Sequence, residues 1–245
     1  MSELCEHLFF EELDSTNDYV KRLAENHDIR SWTLLQTAYQ TNGRGQREHS
    51  WESAKNKNLL FSLYIEPDVQ VQHQFYLSKI TAVALQETIE HELQRPVFIK
   101  WPNDIYVENK KIAGILIENT LRQSTVVASI IGVGINVNQT EFPENLPNPV
   151  SMQQILNQEV DMEVLRLRFC RIFSQWWKTL SMHQFKAIDE AYHRRLYFRE
   201  RQVIVNDDIV SFRATLTAVD ESGTLLLRNG KNEYRYRFGE VEIDY

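Results

Sequence analysis

Residues 98–118 read Phe98-Ile99-Lys100-Trp101-Pro102-Asn103-Asp104-Ile105-Tyr106-Val107, then Glu108-Asn109-Lys110-Lys111, then Ile112-Ala113-Gly114-Ile115-Leu116-Ile117-Glu118. Two apolar runs thus flank a four-residue polar turn. Apolar runs bounded by turn residues are typical of buried strands joined in a hairpin. Pro102 removes a ladder donor and biases Trp101 toward an extended conformation, so strand pairing is interrupted there. The hairpin gathers the polar side chains of Lys100, Asn103, Asp104 and Lys111. An interpretation of this stretch as a solvated hairpin without function does not explain why they occur together.

A second polar motif precedes this hairpin: Gln40-Thr41-Asn42-Gly43-Arg44-Gly45-Gln46-Arg47-Glu48-His49-Ser50-Trp51. Glycine lets backbone N–H groups turn toward an anion and approach it closely. Arginine adds a planar cation that matches carboxylate and phosphate oxygens, and Trp51 offers a ring for stacking on a base. Alone, the motif is equally typical of an exposed basic turn between strands.

Together these motifs, in this order and spacing, resemble the biotin protein ligases. The shared features are Gly-Arg-Gly followed by Trp51, the Lys-Trp-Pro-Asn-Asp run, and Lys-Ile-Ala-Gly-Ile-Leu-Ile-Glu. The resemblance extends to Ser15-Thr16-Asn17 upstream and Gly132-Val133-Gly134-Ile135-Asn136 downstream. It implies an α+β fold, a mixed but largely antiparallel sheet flanked by helices, similar to class II synthetases. The implied domains are a catalytic domain at 1–198 and a small SH3-like β-barrel at 199–245.

The resemblance implies an ATP-dependent ligase that activates biotin as biotinyl-5′-AMP and transfers it to a lysine of a biotin carboxyl carrier protein. ATP and Mg²⁺ are the expected co-substrate and ion, since magnesium favours phosphate and carboxylate oxygens. Two alternatives stay open. One is a lipoate or octanoate ligase of the same fold, and the other is a non-catalytic biotin-binding module or biotin-responsive repressor.

The resemblance also implies roles for individual residues. Lys111 and Arg44 are the expected catalytic residues, and Asp104 is the expected metal ligand. The expected nucleotide-binding residues are Arg47, Trp51, Asn103 and Asn136, above a strand that contains Gly132 and Gly134. The expected biotin-binding residues are Ser15, Thr16, Asn17, Gln40, Gly43, Arg44, Gly45, Gln46, Lys111 and Gly114. Gln46 departs from the family pattern, which commonly has arginine there, and removes a positive charge near the phosphate.

Composition and net charge limit which partners the protein is expected to bind and where it is expected to act. The 245 residues carry a net charge of −7, which argues against nucleic acid as a partner. The matched pattern begins near Ser15, which predicts no amino-terminal DNA-binding domain. Apolar runs stay far below the ~20 residues that cross a bilayer, so no membrane is expected. Cys5 and Cys170 lie too far apart in sequence to suggest a disulfide framework, and we expect a cytoplasmic protein, either monomer or homodimer.

The remaining sequence alternates between strand and helix patterns. Helices are predicted at 73–93, 162–180 and 185–198, and strands around 8–10, 32–39, 59–65 and 125–137. Two hairpin turns, Asp220-Glu221-Ser222-Gly223 and Arg228-Asn229-Gly230-Lys231, predict short antiparallel strands near the carboxyl end. Lys79 and the Arg194-Arg195 pair are predicted to lie on solvated helix faces.

Overall fold

The chain folds into two β-sheets and five α-helices in the computed structural model, which describes residues 6–47, 49–207 and 210–245. Cys5 and Glu48 lie outside these ranges. The helices are α1 (Thr16–Glu25), α2 (Phe75–Leu93), α3 (Met152–Leu156), α4 (Met162–Ser181) and α5 (Phe185–Arg194). The strands of the first sheet are β1 (Glu6–Phe10), β2 (Thr33–Thr37), β3 (Leu59–Ile65), β4 (Val69–Gln70), β5 (Val97–Lys100), β6 (Asp104–Val107), β7 (Lys110–Arg122) and β8 (Thr125–Ile135).

The first sheet is mixed and mostly antiparallel. Its strands follow the order β1-β2-β3-β8-β7-β6-β5, and β4 pairs with β8. β1 and β2 run parallel, whereas the other neighbours run antiparallel. All seven residues of β3 are buried, as expected for a central strand covered on both faces.

Helices cover both faces of this sheet. Leu34 and Leu35 are neighbours on β2 and therefore point to opposite faces. Leu34 belongs to the large apolar core formed with α2, α4 and α5. Leu35 belongs to a smaller cluster with Val20 of α1. Within the described residues, no helix combines the length and apolarity needed to cross a membrane.

The second sheet contains five antiparallel strands in the order β12-β11-β10-β9-β13. We call residues 202–245 the C-terminal unit. Its strands are β9 (Gln202–Asn206), β10 (Ser211–Val219), β11 (Leu225–Asn229), β12 (Asn232–Tyr236) and β13 (Glu242–Asp244). Its side chains, among them Val203, Leu216 and Leu227, join the large core of the first sheet.

The predicted fold class is confirmed, with local corrections. The apolar run at 98–107 forms two strands, because residues 101–103 turn between β5 and β6. Lys110 and Lys111 begin β7 instead of extending the turn. The helix predicted at 185–198 ends at Arg194, and the chain then turns, with Leu196 in an isolated bridge to Ile99 of β5. The Ile99 N–H donates to the Arg195 carbonyl, and the Tyr197 N–H donates to the Ile99 carbonyl. The short helix α3 was not predicted.

The prediction that Lys79 lies on a solvated helix face is wrong. Its side chain is 0% exposed, and Nζ lies 2.6 Å from Asp189 Oδ1 of α5 and 3.2 Å from the carbonyl oxygen of Val219 in β10. The rings of Tyr76 and Tyr192 lie 5.0 and 5.7 Å from the ammonium. Burial lowers the pKa of Lys79, against the opposing effect of Asp189. The ammonium thus connects α2, α5 and the C-terminal unit.

Replacing Lys79 with alanine should destabilise the protein by about 3 kcal/mol, because it leaves Asp189 and the Val219 carbonyl without their cation. Urea unfolding followed by circular dichroism measures the change. The matched control is Lys186→Ala, whose ammonium is 91% exposed in an i,i+4 pair with Glu190. That change should cost less than about 0.5 kcal/mol. Similar unfolding midpoints for the two variants would show that the buried ion pair contributes little.

Candidate active site

One cleft collects residues from both parts of the chain. It has a volume of about 690 Å³ and lies over β7 and β8, beneath the loop that follows Gln40. The N-terminal residues of α1, the 100–104 segment and the end of the C-terminal unit form its walls. The cleft is therefore bounded by segments that are far apart in sequence.

The floor of the cleft positions Lys111 and Trp51. Lys111 Nζ lies 2.7 Å from Asp104 Oδ1, and 5.7 Å from the centroid of the Trp51 ring. Gly114 leaves room for both side chains, because an added Cβ would lie 3.0 Å from Trp51 Cζ3 and 3.4 Å from Lys111 Cε. Trp51 also covers Gly134, where a Cβ would lie 2.4 Å from Trp51 Cε2. The ring and the ammonium thus share the floor beside one carboxylate.

Two asparagines hold this floor in place. The Asn103 side-chain amide donates to the Ile115 carbonyl at 2.9 Å, and the Ile115 N–H donates to the Asn103 carbonyl at the same distance. This exchange ties the 101–103 turn to β7. Asn136 is 4% exposed, and its amide lies 3.5 Å from the Lys111 carbonyl oxygen behind the cleft wall. The backbone around Lys111 is therefore fixed on both sides.

The amino end of α1 forms a hydrogen-bonded wall. Ser15 caps the helix by accepting from the Asp18 N–H, as expected for serine at an N-cap. The Gln40 Oε1 atom accepts from Thr16 N and Oγ1 at 2.8 and 3.1 Å. The buried Ser62 hydroxyl oxygen lies 2.7 Å from Thr16 Oγ1 and 2.6 Å from Asn17 Oδ1. This network orients polar groups toward the cleft before any ligand binds.

Asn17 also joins α1 to the floor. Its amide donates to Glu118 Oε2 at 2.7 Å and to the Leu116 carbonyl at 3.3 Å. Gly132 lies directly opposite, where an added Cβ would be 2.3 Å from Asn17 Oδ1. Because residues two apart on a strand face the same side, Gly132 and Gly134 place Asn17 and Trp51 side by side on the floor.

Residues 43–47 and 49–51, which we call the central loop, bring the two arms of the loop together. Trp51 N donates to the Gly43 carbonyl at 2.9 Å, and Gly45 N donates to the His49 carbonyl at 2.7 Å. An added Cβ at Gly43 would lie 2.3 Å from the Trp51 carbonyl oxygen, so the loop arms approach too closely for another residue. In this arrangement the Gly45 N–H is used inside the loop and does not face a ligand.

Arg44 contacts carboxylates from two elements in this structure. Its guanidinium forms an ion pair with Asp18 of α1 and lies 3.0 Å from Glu118 Oε1 of β7. Burial opposes the charge, but the pairs with Glu118 and Asp18 outweigh it and raise the pKa of Arg44. Arg44 thus spans the cleft between α1 and the floor.

The C-terminal unit completes the other end of the cleft. Lys100 Nζ lies 4.8 Å from the Tyr106 ring centroid and 4.7 Å from that of Tyr245, the last residue of the chain. Burial lowers the pKa of Lys100, whereas Asp104 opposes that shift. The Trp101 indole N–H donates to the Gly223 carbonyl at 2.9 Å. Lys100 and Trp101 therefore line the cleft and also contact the C-terminal unit.

The structure brings most of the predicted site residues together. All of them line the cleft except Gly43, which is buried where the two arms of the central loop meet, and Asn136, whose amide lies 3.5 Å from the Lys111 carbonyl oxygen. Sequence reasoning missed Ser62, Asp18 and Glu118, which organise the wall of α1 and the floor. It also missed residues 238–239 and 241–245, which line the cleft from the C-terminal unit. Ser62 sits in an apolar strand, and this buried hydroxyl is the signal that could have been noticed.

Asp104 supplies a single carboxylate beside Lys111, as a magnesium ion that arrives with a nucleotide would require. Among residues 6–47, 49–207 and 210–245, no group of three or more His, Cys, Asp or Glu side chains is arranged to hold a metal. Magnesium keeps several waters and binds through one or two carboxylates together with substrate phosphates. Asp104 would be such a carboxylate, and the ion would neutralise charge on the triphosphate.

The cleft is lined by two lysines, two arginines, side-chain amides and aromatic rings, together with the carboxylates of Asp104, Glu242 and Asp244. The chain belongs to the biotin/lipoate A/B protein ligase family, whose model matches residues 9–136. This confirms the family expected from the sequence motifs.

Known relatives resemble the chain over nearly its full length. It is 28% identical to the bifunctional ligase/repressor BirA of Bacillus subtilis over 97% of this chain and 74% of that protein. It is 27% identical to the biotin–[acetyl-CoA-carboxylase] ligase of Paracoccus denitrificans, covering 88% and 91% of the two chains. The biotin protein ligase of Aquifex aeolicus, solved in complex with biotin and ATP, superposes with a TM-score of 0.81 at 25% identity, covering 97% and 98%.

Proposed function

We propose that this chain is an ATP-dependent ligase that activates biotin as biotinyl-5′-AMP and transfers it to a lysine of a biotin carboxyl carrier protein. The observation that carries the proposal is the position of Lys111, between Asp104 and Trp51 on the floor of one cleft. Family membership and the relatives that carry biotin-ligase names support it.

The first step joins two anions. A biotin carboxylate oxygen attacks the α-phosphorus of ATP, and the bond to the bridging oxygen breaks to release pyrophosphate. Cations must be in place before the reaction, because preorganised charge costs no rearrangement at the transition state. Lys111 is the proposed main catalytic cation. Arg44 is the proposed second one, and it must exchange its present contacts with Asp18 and Glu118 for the ligand.

The second step breaks the mixed anhydride. A neutral lysine amine of the carrier attacks the biotinyl carbonyl carbon, AMP leaves as the anion, and the amine loses a proton.

We propose Asn17, Thr16, Gln40 and neighbouring loop residues for the biotin end, where a ureido ring needs both donors and acceptors. Trp51 is proposed to pack against adenine, and Asp104 to hold magnesium. The carrier is a carboxylase subunit or domain, and the enzyme acts as a monomer or homodimer in the cytoplasm, without DNA.

Biotin-dependent exchange of pyrophosphate into ATP tests this proposal without any carrier protein, since adenylate formation is a separable half-reaction. We expect exchange with biotin, ATP and magnesium, and biotinylation of an added carrier domain detected by mass spectrometry. Exchange driven by lipoate but not by biotin would identify the chain as a lipoate ligase. Biotin binding without exchange would identify a binding module.

A further inference from the structure

Phe238 is a large apolar side chain that the fold leaves 47% exposed, at the mouth of the cleft. It lies between β12 and β13 of the C-terminal unit. An aromatic ring in such a place usually has a partner, because leaving it in water forfeits the free energy of burying it. Its neighbours identify that partner.

The central loop supplies the partner through Arg47. The Arg47 guanidinium carbon lies 5.0 Å from the Phe238 ring centroid, within the range of a cation–π contact. The next residue, Gly239, has φ +93°, and an added Cβ would lie 1.7 Å from Arg47 Nη2. The guanidinium therefore occupies the space of a side chain at Gly239. The Phe238 ring and Gly239 together form the surface on which the Arg47 guanidinium packs.

The surface formed by Phe238 and Gly239 is firmly attached to the rest of the protein. The Trp101 ring lies edge-on to Phe238 at 6.2 Å, and its indole N–H donates to Gly223. Lys79 binds the Val219 carbonyl from the core. Because the C-terminal unit is anchored at these points, Phe238 offers a fixed platform, whereas Arg47 belongs to the exposed tip of the central loop.

We propose that Phe238 is a positioning residue: it holds Arg47, and through Arg47 it holds the central loop over the cleft. The C-terminal unit thereby controls how long the activated intermediate stays bound. The part of this inference that concerns biotinyl-5′-AMP rests on the proposed function. The part that concerns the loop does not, because the Arg47–Phe238 contact joins two residues of this chain.

Two measurements test the inference on the full-length chain. The first is trypsin cleavage after Arg44 in the unliganded protein, followed by mass spectrometry. The second is the release rate of preformed biotinyl-5′-AMP, followed by stopped flow. Phe238→Ala should speed both by about three- to tenfold, as expected for losing one cation–π contact. Phe238→Tyr keeps a ring and should stay within about twofold of the parent protein.

Two further variants separate the contact from general loosening. Arg47→Ala and the double variant Arg47→Ala/Phe238→Ala should be cleaved after Arg44 at the same rate as Phe238→Ala, because all three lack the same contact. Phe9→Ala is the matched control, since Phe9 is 50% exposed on β1, away from the cleft, and should change nothing. Unchanged cleavage in Phe238→Ala, or additive effects in the double variant, would overturn the inference. Absent adenylate formation in the parent chain would instead refute the proposed function, while cleavage would still decide the role of Phe238.

Discussion

Replacing Lys111 with alanine is expected to reduce adenylate formation by a factor of about one hundred or more, while the protein stays folded and binds biotin. The Lys111 side chain is 32% exposed, so its loss leaves no buried cavity, and its backbone is fixed by Asn148 and Val150. What disappears is a positive charge where two anions must meet. Asp104 would then face the phosphates without its cation, which adds repulsion. Single-turnover formation of biotinyl-5′-AMP measures the effect.

Lys110→Ala is the matched control, because Lys110 is the preceding residue of the same strand and is exposed. That variant should form adenylate within about twofold of the parent rate. Equilibrium binding of biotin to both variants separates a lost cation from a damaged pocket. If Lys111→Ala forms adenylate at a near-normal rate, the catalytic charge comes from another residue, and Lys110 is the first to examine.

The parts of the fold that sequence reasoning predicted are those that depend on local signals. The apolar runs around residues 98–118 gave the β5–β7 region because strand patterns and turn residues lie within one short stretch. The strand order of the sheet was not predicted: the resemblance implied only a mixed, largely antiparallel sheet, and pairing between β3 and β8 joins residues too far apart for any local pattern. The division of the 98–107 run was underestimated, because Pro102 and Asn103 make a full turn rather than a local break.

Charged residues show the limit of local reasoning most clearly. Lys79 was predicted to lie on a solvated helix face, but Asp189 reaches it from 110 residues away. Arg44 was predicted to bind an anionic ligand, and its guanidinium forms ion pairs with Asp18 and Glu118. Phe238 and Tyr245 reach the cleft only because the C-terminal unit docks beside Trp101. In each case the partner is set by tertiary contact, which composition and spacing do not encode.

Substituting two glycines on β8 should distinguish the binding of biotin from the binding of ATP. Gly132→Ala would drive a Cβ to 2.3 Å from Asn17 Oδ1, and Gly134→Ala would drive one to 2.4 Å from Trp51 Cε2. Such overlap must displace the facing side chain, at a cost of about 1–3 kcal/mol. Asn17 is proposed to bind biotin, whereas Trp51 is proposed to bind adenine. We therefore expect Gly132→Ala to raise KM for biotin, and Gly134→Ala to raise KM for ATP, each by about tenfold or more.

The two variants control for each other, because the same methyl group is added to the same face of the same strand, two residues apart. Initial rates of ATP–pyrophosphate exchange with varied biotin and varied ATP give both constants, and urea midpoints check that stability is comparable. A smaller ring at position 51 should relieve the overlap at Gly134. Adding Trp51→Phe to Gly134→Ala should therefore lower the raised KM for ATP, when the double variant is compared with Trp51→Phe alone. The same addition should recover nothing in Gly132→Ala, where Asn17 is displaced. If both glycine variants raise both constants equally, Asn17 and Trp51 do not divide the cleft between biotin and nucleotide, and the adjacent placement of the two side chains serves a single binding site.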